Sequence, residues 1–152
     1  MPRSHVFDEI LLHVNWHCHE DSGLILPSRE AVIHGHIEEY SRKFRGIHLK
    51  GIGGTITHVH IALQIEPFVA PADFIGKVKG YTSHQTNKQF GADALKWQRG
   101  YGVVSFAMLH LPRVVQYVQD QKQHHAQSTL KDKLERYYVD LPEGEYVPDA
   151  EE

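Results

Sequence analysis

The sequence predicts an α+β protein: an antiparallel sheet with helices on one face, plus a helix near the C-terminus. Segments whose apolar residues stand at every second position, typical of strands, alternate with segments of helical spacing. Their order along the 152-residue chain is β-α-β-β-α-β followed by a helix. This is the order of the split β-α-β, ferredoxin-like (RRM-like) arrangement. Since many functions use it, function has to be argued from the site.

The first half of the chain supplies three of the predicted strands and one helix. A strand is predicted over residues 6–17, where Ile10, Leu12, Val14 and Trp16 alternate with other residues. Ser28 is a suitable N-cap for a helix over residues 28–44. A short strand over residues 46–52 follows, glycines 53 and 54 predict a hairpin turn, and residues 55–65 predict the returning strand.

The second half predicts a helix over residues 70–90, a fourth strand over 100–109 and a helix over 111–127. Pro112 suits the first turn of that last helix, and its valines form an apolar stripe. A short helix is predicted within residues 128–138. We expect one domain over residues 1–139 and an acidic, flexible tail over 140–152.

Composition narrows the class of protein. A hydrophobic fraction of 41% and a charged fraction of 23% are ordinary for a globular protein. Apolar runs fall short of the roughly 18 residues that a membrane helix needs, so we expect a cytoplasmic protein without a membrane partner. The single cysteine, Cys18, excludes an internal disulfide. Six acids and no Lys or Arg lie in 140–152, which leaves residues 1–139 with 16 basic and 13 acidic residues, a net +3.

Residues 56–64, ITHVHIALQ, place two histidines inside an otherwise apolar strand. Successive side chains of a strand point to opposite faces, so His58 and His60 share one face while the apolar residues share the other. The apolar face fits a core, and the other face offers two imidazoles, which are common metal ligands. Two interpretations stay open on this pattern alone: part of a metal site, or two hydrogen-bonded or partly exposed imidazoles.

The helix after Pro112 carries a polar edge beside its valine stripe. Residues four apart lie one turn apart on a helix, so Gln121 follows Tyr117 by one turn and His124 lies about one turn further. Such a helix would pack on the body of the protein and lay its tyrosine across a cleft. The alternative is a tyrosine that only packs at the rim of the core.

With these motifs the chain resembles the single-tyrosine HUH transposases of small insertion sequences, including the REP-associated tyrosine transposases. The matching stretches are THVHIAL, WQRGYGVVS and VVQYVQDQKQHH, in that order, and VNWH and DFIGKVKGYTS also fit. The resemblance spans about residues 7–126. It implies the ferredoxin-like sheet with the tyrosine on the C-terminal helix.

The resemblance also implies roles for the matching positions. Tyr117 would be the nucleophile, and His58, His60 and Gln121 would be the ligands of a divalent metal ion, Mg²⁺ or Mn²⁺. A phenol with an ordinary pKa of about 10 is a weak nucleophile at neutral pH, and a metal ion that neutralises developing charge offsets this weakness. Attack on single-stranded DNA would leave a 5′-phosphotyrosine and a free 3′-hydroxyl for later strand transfer.

The partner implied is single-stranded DNA with hairpin ends. Candidate phosphate contacts are Lys77, Lys79, Lys96 and Arg99, and Trp97 is a candidate for base stacking. Each could equally serve the surface or the core. Some family members exchange the tyrosine helix between two subunits, whereas the REP-associated branch tends to act as monomers. The short chain favours a homodimer with composite active sites.

Two features depart from the family pattern. Ile56 and Thr57 stand where many members carry an acidic pair before the histidines, and the overall charge is −3. The main alternative function is therefore a domesticated regulator that binds DNA hairpins with weak or no catalysis. A histidine-triad nucleotide hydrolase would need a histidine where Ala62 stands, which argues against that class.

Overall fold

A computed structural model describes residues 5–137. Within this range four strands form one antiparallel sheet in the order β2-β3-β1-β4. The strands are β1 (Leu11–His17), β2 (Ile47–Gly54), β3 (His58–Ile65) and β4 (Gly102–Phe106). The helices are α1 (Pro27–Lys43), α2 (Pro71–Phe90), α3 (Leu111–Gln119), α4 (Gln121–Gln127) and α5 (Asp132–Glu135), with a short 3₁₀ helix at Met108–His110. The predicted α+β antiparallel fold is confirmed, and the predicted tail at 140–152 lies outside the described residues.

The main core lies between the sheet and the helices α1 and α2. Apolar side chains of β1 and β3, at every second position, pack there against Ile33 and Ile37 of α1 and Phe74 of α2. Both helices have proline in the first turn. Proline costs no hydrogen bond there, because an N–H in the first turn has no partner within the helix. Ser28 does not cap α1 as predicted, because the helix begins one residue earlier and no side chain caps it.

The opposite face of the sheet is covered by α3 and by the two short helices after it. Val114 and Val118 of α3 pack there on Ala62 of β3. Under this second layer His13 and Asn15 of β1 are also buried. The first strand is therefore buried on both faces, whereas its alternating pattern predicts burial of one face only.

The close approach of α3 to β2 depends on glycines. The structure shows that Gly53 and Gly54 do not form the predicted turn, because β2 runs through both of them and the chain turns at 55–57. A Cβ atom added to Gly53 would lie 1.9 Å from the carbonyl oxygen of Val118. At Gly51 it would lie 3.2 Å from Cγ1 of Val115. Helix α3 therefore rests directly on the main chain of β2.

Gly53→Ala should therefore destabilise the protein by about 2 kcal/mol or more, since the clash is with a main-chain atom and helix or strand must move. Gly76→Ala on α2 is the matched control, because its added Cβ meets nothing within 4 Å. We expect the control to raise the free energy of unfolding by about 0.5–1 kcal/mol. Urea denaturation measures both, and a Gly53→Ala protein as stable as the wild type would contradict the close contact.

The predicted helix over residues 111–127 is two helices, broken at Asp120 with φ −97° and ψ 24°. The Asp120 side chain accepts a hydrogen bond from Nε2 of Gln116 at 2.7 Å, which ties the break to α3. After the break Gln121 is buried at the start of α4. In the described part of the chain, no helix combines the length and the apolar character needed to cross a membrane.

Candidate active site

The two histidines of β3 are held by their Nδ1 atoms. Nδ1 of His58 lies 2.9 Å from the hydroxyl of Thr55 and 3.0 Å from that of Thr57. Nδ1 of His60 lies 2.8 Å from Nε2 of His13. The Nε2 atoms of His58 and His60 are buried and contact none of these three partners. These three partners thus occupy one nitrogen of each ring, and the other nitrogen can bind a ligand.

Thr57 is one of the residues that hold the ring of His58 in place. Its hydroxyl and that of Thr55 both contact Nδ1 of His58 and thereby orient the ring. Partners of this kind fix the tautomer and the direction of a metal-binding imidazole. The groups that orient His58 in this protein are therefore neutral hydroxyls and not carboxylates.

The hydroxyl of Tyr117 points to the same place from α3. It donates a hydrogen bond to Oε1 of Glu135 at 2.8 Å and accepts one from the backbone N–H of Lys131 at 2.9 Å. The ring stacks on His124 with the ring centroids 4.5 Å apart. Burial raises the pKa of Tyr117 to about 12, so the phenol is protonated at neutral pH.

Glu135 of α5 lies between the tyrosine and the histidines. Its Oε2 is 3.0 Å from Nε2 of His60 and 3.9 Å from Nε2 of His58. Its Oε1 is 3.6 Å from Nε2 of His125. Burial raises the pKa of this carboxyl, but the contact with His60 outweighs burial and, with Tyr117, holds the pKa below its usual range. The carboxylate is therefore charged, and it bridges the hydroxyl and the imidazoles.

Gln121 is buried beside this group. Its Nε2 donates a hydrogen bond to the carbonyl oxygen of Tyr117 at 3.2 Å. Its Oε1 lies 3.2 Å from Nε2 of His125. The four residues predicted from sequence as nucleophile and metal ligands thus meet within one chain, with Gln121 reaching the group through His125.

Four side chains could hold a metal ion: His58, His60, His125 and Glu135, whose ligand atoms all lie within 4.8 Å of one another. Burial and the neighbouring imidazoles of His60 and His17 lower the pKa of His58 to about 3. A neutral imidazole keeps the lone pair that a metal ion needs. Three imidazole nitrogens and one carboxylate that converge in this way fit a divalent cation.

The segment that carries Glu135 is anchored on the sheet. Nδ2 of Asn15 donates to the carbonyl oxygens of Leu134 at 3.1 Å and of Arg136 at 3.0 Å. Gly102 makes room for it, since an added Cβ would lie 1.8 Å from the Arg136 oxygen. One strand residue thus grips the backbone on both sides of Glu135.

The residues predicted to bind DNA lie on the α2 side of the protein. Lys79, Lys96, Trp97 and Arg99 line a groove of about 540 Å³ between α2 and residues 93–101. Nζ of Lys79 donates to the carbonyl oxygens of Gln98 and Gly100, both at 2.8 Å. Lys77 does not line the groove and pairs with Asp73 at 3.0 Å. Four of the five therefore share one surface.

That groove is linked to the histidine site through the end of β1. The backbone N–H of Gln98 donates to the carbonyl oxygen of His17, and Trp97 meets Trp16 edge to face with ring centroids 5.8 Å apart. On the other side of the strand, the ring of His17 stacks on His58 at 4.4 Å. The end of β1 thus contacts both the groove and the histidine site.

Sequence reasoning missed His13, His125 and Glu135. His13 lies on the face of β1 opposite Leu12, Val14 and Trp16, so two-residue periodicity did not place it in the core. His125 follows Gln121 by four residues, and this spacing could have added it to the polar edge of the helix. Nothing in the local sequence links Glu135 to a strand more than 70 residues earlier, because the link is tertiary.

Comparisons with known proteins place this geometry in context. The family model described as "Transposase IS200 like" matches residues 7–121. A crystal structure of a candidate transposase from Deinococcus radiodurans R1 is 15% identical with a TM-score of 0.63, covering 80% of this chain and 97% of that one. A REP-associated tyrosine transposase bound to a REP hairpin is 11% identical with a TM-score of 0.60, covering 82% and 73%. A search of curated proteins found no match.

The two solved structures support the fold, and the family model supports the family. The matched stretch covers well over half of the 152 residues and includes both histidines of β3, Tyr117 and Gln121. It ends before His125 and Glu135. The chain belongs to the family of IS200-like transposases.

Proposed function

We propose that this transposase cleaves and rejoins single-stranded DNA with Tyr117 as the nucleophile and with a divalent ion, Mg²⁺ or Mn²⁺, held by His58, His60 and Gln121. Attack by the phenol oxygen forms a bond to phosphorus and breaks the bond to the 3′ oxygen, while the phenol gives up its proton and the 3′ oxygen takes one up. The products are a 5′-phosphotyrosine and a free 3′-hydroxyl, which strand transfer later uses. A divalent ion bound there would polarise the phosphate and neutralise developing charge.

One observation carries the proposal: the Tyr117 hydroxyl and the His60 imidazole contact the two oxygens of a single carboxylate. Oε1 of Glu135 accepts from the hydroxyl at 2.8 Å, and Oε2 lies 3.0 Å from Nε2 of His60. A phosphodiester presents two oxygens with comparable spacing. The gap between nucleophile and imidazoles therefore fits one such anion, which enters when the Glu135 side chain turns away.

The groove beside α2 supports a single-stranded substrate. Lys79, Lys96 and Arg99 supply positive charge around it, and Trp97 supplies an aromatic ring. Phosphate contacts give affinity and stacking accepts any base, which together suit an unpaired strand. We propose that DNA beside a hairpin runs along this groove towards the end of β1, in the cytoplasm.

Assembly as a homodimer stays a prediction. In the described chain α3 and α4 lie on their own sheet, so Tyr117 reaches His60 without a second subunit. An exchanged helix would place the same side chains over the partner's sheet. The size of the purified protein in solution, alone and with hairpin DNA, decides between these arrangements.

The test uses oligonucleotides that each carry a hairpin and a randomised single-stranded flank, because the target sequence is unknown. The full chain is incubated with this library and Mn²⁺, and covalent protein–DNA adducts are recovered under denaturing conditions and sequenced. We expect enriched flanks and a peptide that carries DNA on Tyr117. Hairpin binding without any adduct would favour the regulator.

A further inference from the structure

We infer that this chain binds a transition metal ion in a closed site of four protein ligands, His58, His60, His125 and Glu135, before any DNA is present. The inference rests on the proposed function for the purpose of the ion, but not for its binding. It differs from the predicted set of two histidines and Gln121 in two ligands, both of which lie beyond the stretch that the family model matches.

The spacing of the donor atoms fits one ion. Ligand atoms about 2.1 Å from a tetrahedral zinc ion lie about 3.4 Å from each other. Oε2 of Glu135 lies 3.0 Å from Nε2 of His60 and 3.9 Å from that of His58, and Oε1 lies 3.6 Å from Nε2 of His125. All four ligand atoms lie within 4.8 Å of one another, close enough to converge on one ion.

The orientation of the rings is already set for binding. Because Thr55, Thr57 and His13 occupy the Nδ1 atoms of His58 and His60, both Nε2 atoms face the carboxylate. The ring of His125 lies 4.7 Å from that of His58. Preset ligands lose little conformational freedom on binding, which raises affinity.

Charge also favours a cation. The Glu135 side chain is 16% exposed, and its ion-pair partners among the described residues are three imidazoles. A carboxylate that is mostly withdrawn from water is costly to bury without a positive charge beside it, and a divalent ion supplies that charge.

The ligand types select the class of metal. Three imidazole nitrogens and one carboxylate oxygen in a four-coordinate site suit Zn²⁺ and Co²⁺, whereas Mg²⁺ prefers six oxygens. We therefore expect the resting protein to prefer Zn²⁺ strongly over Mg²⁺. The set of three ligands, His58, His60 and Gln121, leaves positions on the ion free. It would then belong to the protein with DNA bound, after Glu135 has left the ion.

Co²⁺ is the probe, added to the full chain after treatment with EDTA and in the absence of DNA. We expect the intense visible absorption that four-coordinate Co²⁺ shows and six-coordinate Co²⁺ lacks, and its loss when Zn²⁺ is added. His125→Asn and Glu135→Gln should each weaken binding about tenfold or more and reduce the absorption. The matched controls are His124→Asn and Asp132→Asn, neighbours on the same two helices, which should bind like the wild type.

Two results would overturn the inference: a wild type with only weak six-coordinate absorption, or His125→Asn and Glu135→Gln variants that bind Co²⁺ like the wild type. Thermal unfolding of each variant without metal identifies any that fail to fold, and Glu135→Asp then serves as a milder second variant. DNA adducts play no part in this readout. A protein that binds Co²⁺ as expected but forms no adduct would retain the metal site and refute the proposed function.

Discussion

Tyr117→Phe should lower the yield of the covalent adduct with DNA by about a thousandfold or more. The substitution removes one oxygen atom, and that atom is the proposed nucleophile, so no phosphotyrosine can form. The ring still stacks on His124, and the variant should fold. Adducts are quantified on a denaturing gel with an oligonucleotide selected by the wild type and with Mn²⁺.

The control for this substitution is Tyr40→Phe on α1. Tyr40 packs against Phe44 and Tyr81 in the other helical layer, with ring centroids 6.0 and 5.0 Å away. We expect Tyr40→Phe to form adducts as the wild type does. An adduct that persists at an undiminished level in Tyr117→Phe would show that another residue attacks the DNA.

His60→Ala should lower cleavage about a hundredfold or more at a fixed low concentration of Mn²⁺. The imidazole is buried on the face that meets Tyr117, and its loss removes a proposed ligand from every metal-bound form of the site. Because a missing ligand weakens binding of the ion, raising Mn²⁺ should restore part of the activity. The rate of adduct formation as a function of Mn²⁺ concentration measures both effects.

His48→Ala is the matched control for this second variant. His48 lies on the neighbouring strand β2, is exposed and pairs with Glu66 at 3.1 Å. It should cleave with the same dependence on Mn²⁺ as the wild type. If His60→Ala keeps the wild-type rate at low Mn²⁺, the proposed ligand role is wrong; thermal unfolding separates that outcome from a loss of fold.

Local periodicity predicted most of the fold because the strands and long helices each pack a regular apolar face. It predicted that the histidines of β3 lie opposite the core residues of the same strand, as the structure shows. It failed where contacts between main-chain atoms determine which residue a position requires. Gly53 looks like a turn residue in sequence, but it lies in a strand. Glycine is needed there because the backbone of α3 occupies the place that a side chain would take.

The candidate site was predictable only in part for a related reason. Tyr117 and Gln121 share a helical edge that spacing reveals, and the family resemblance connects this edge with the histidines. Glu135 reaches the site because Asn15 holds the backbone around it. Such a contact between the first strand and the last described helix leaves no periodic trace in the sequence.

The glycines of β2 have a consequence for how this protein can change over evolutionary time. Helix α3 contacts the main chain of β2 at Gly53, where no side chain lies between the two backbones to take up a shift. A core substitution that displaces β2 should therefore displace α3 as well, and Tyr117 with it. Over evolutionary time, core positions that face α1 should accept changes that conserve volume, whereas changes that move β2 should need compensating changes in α3.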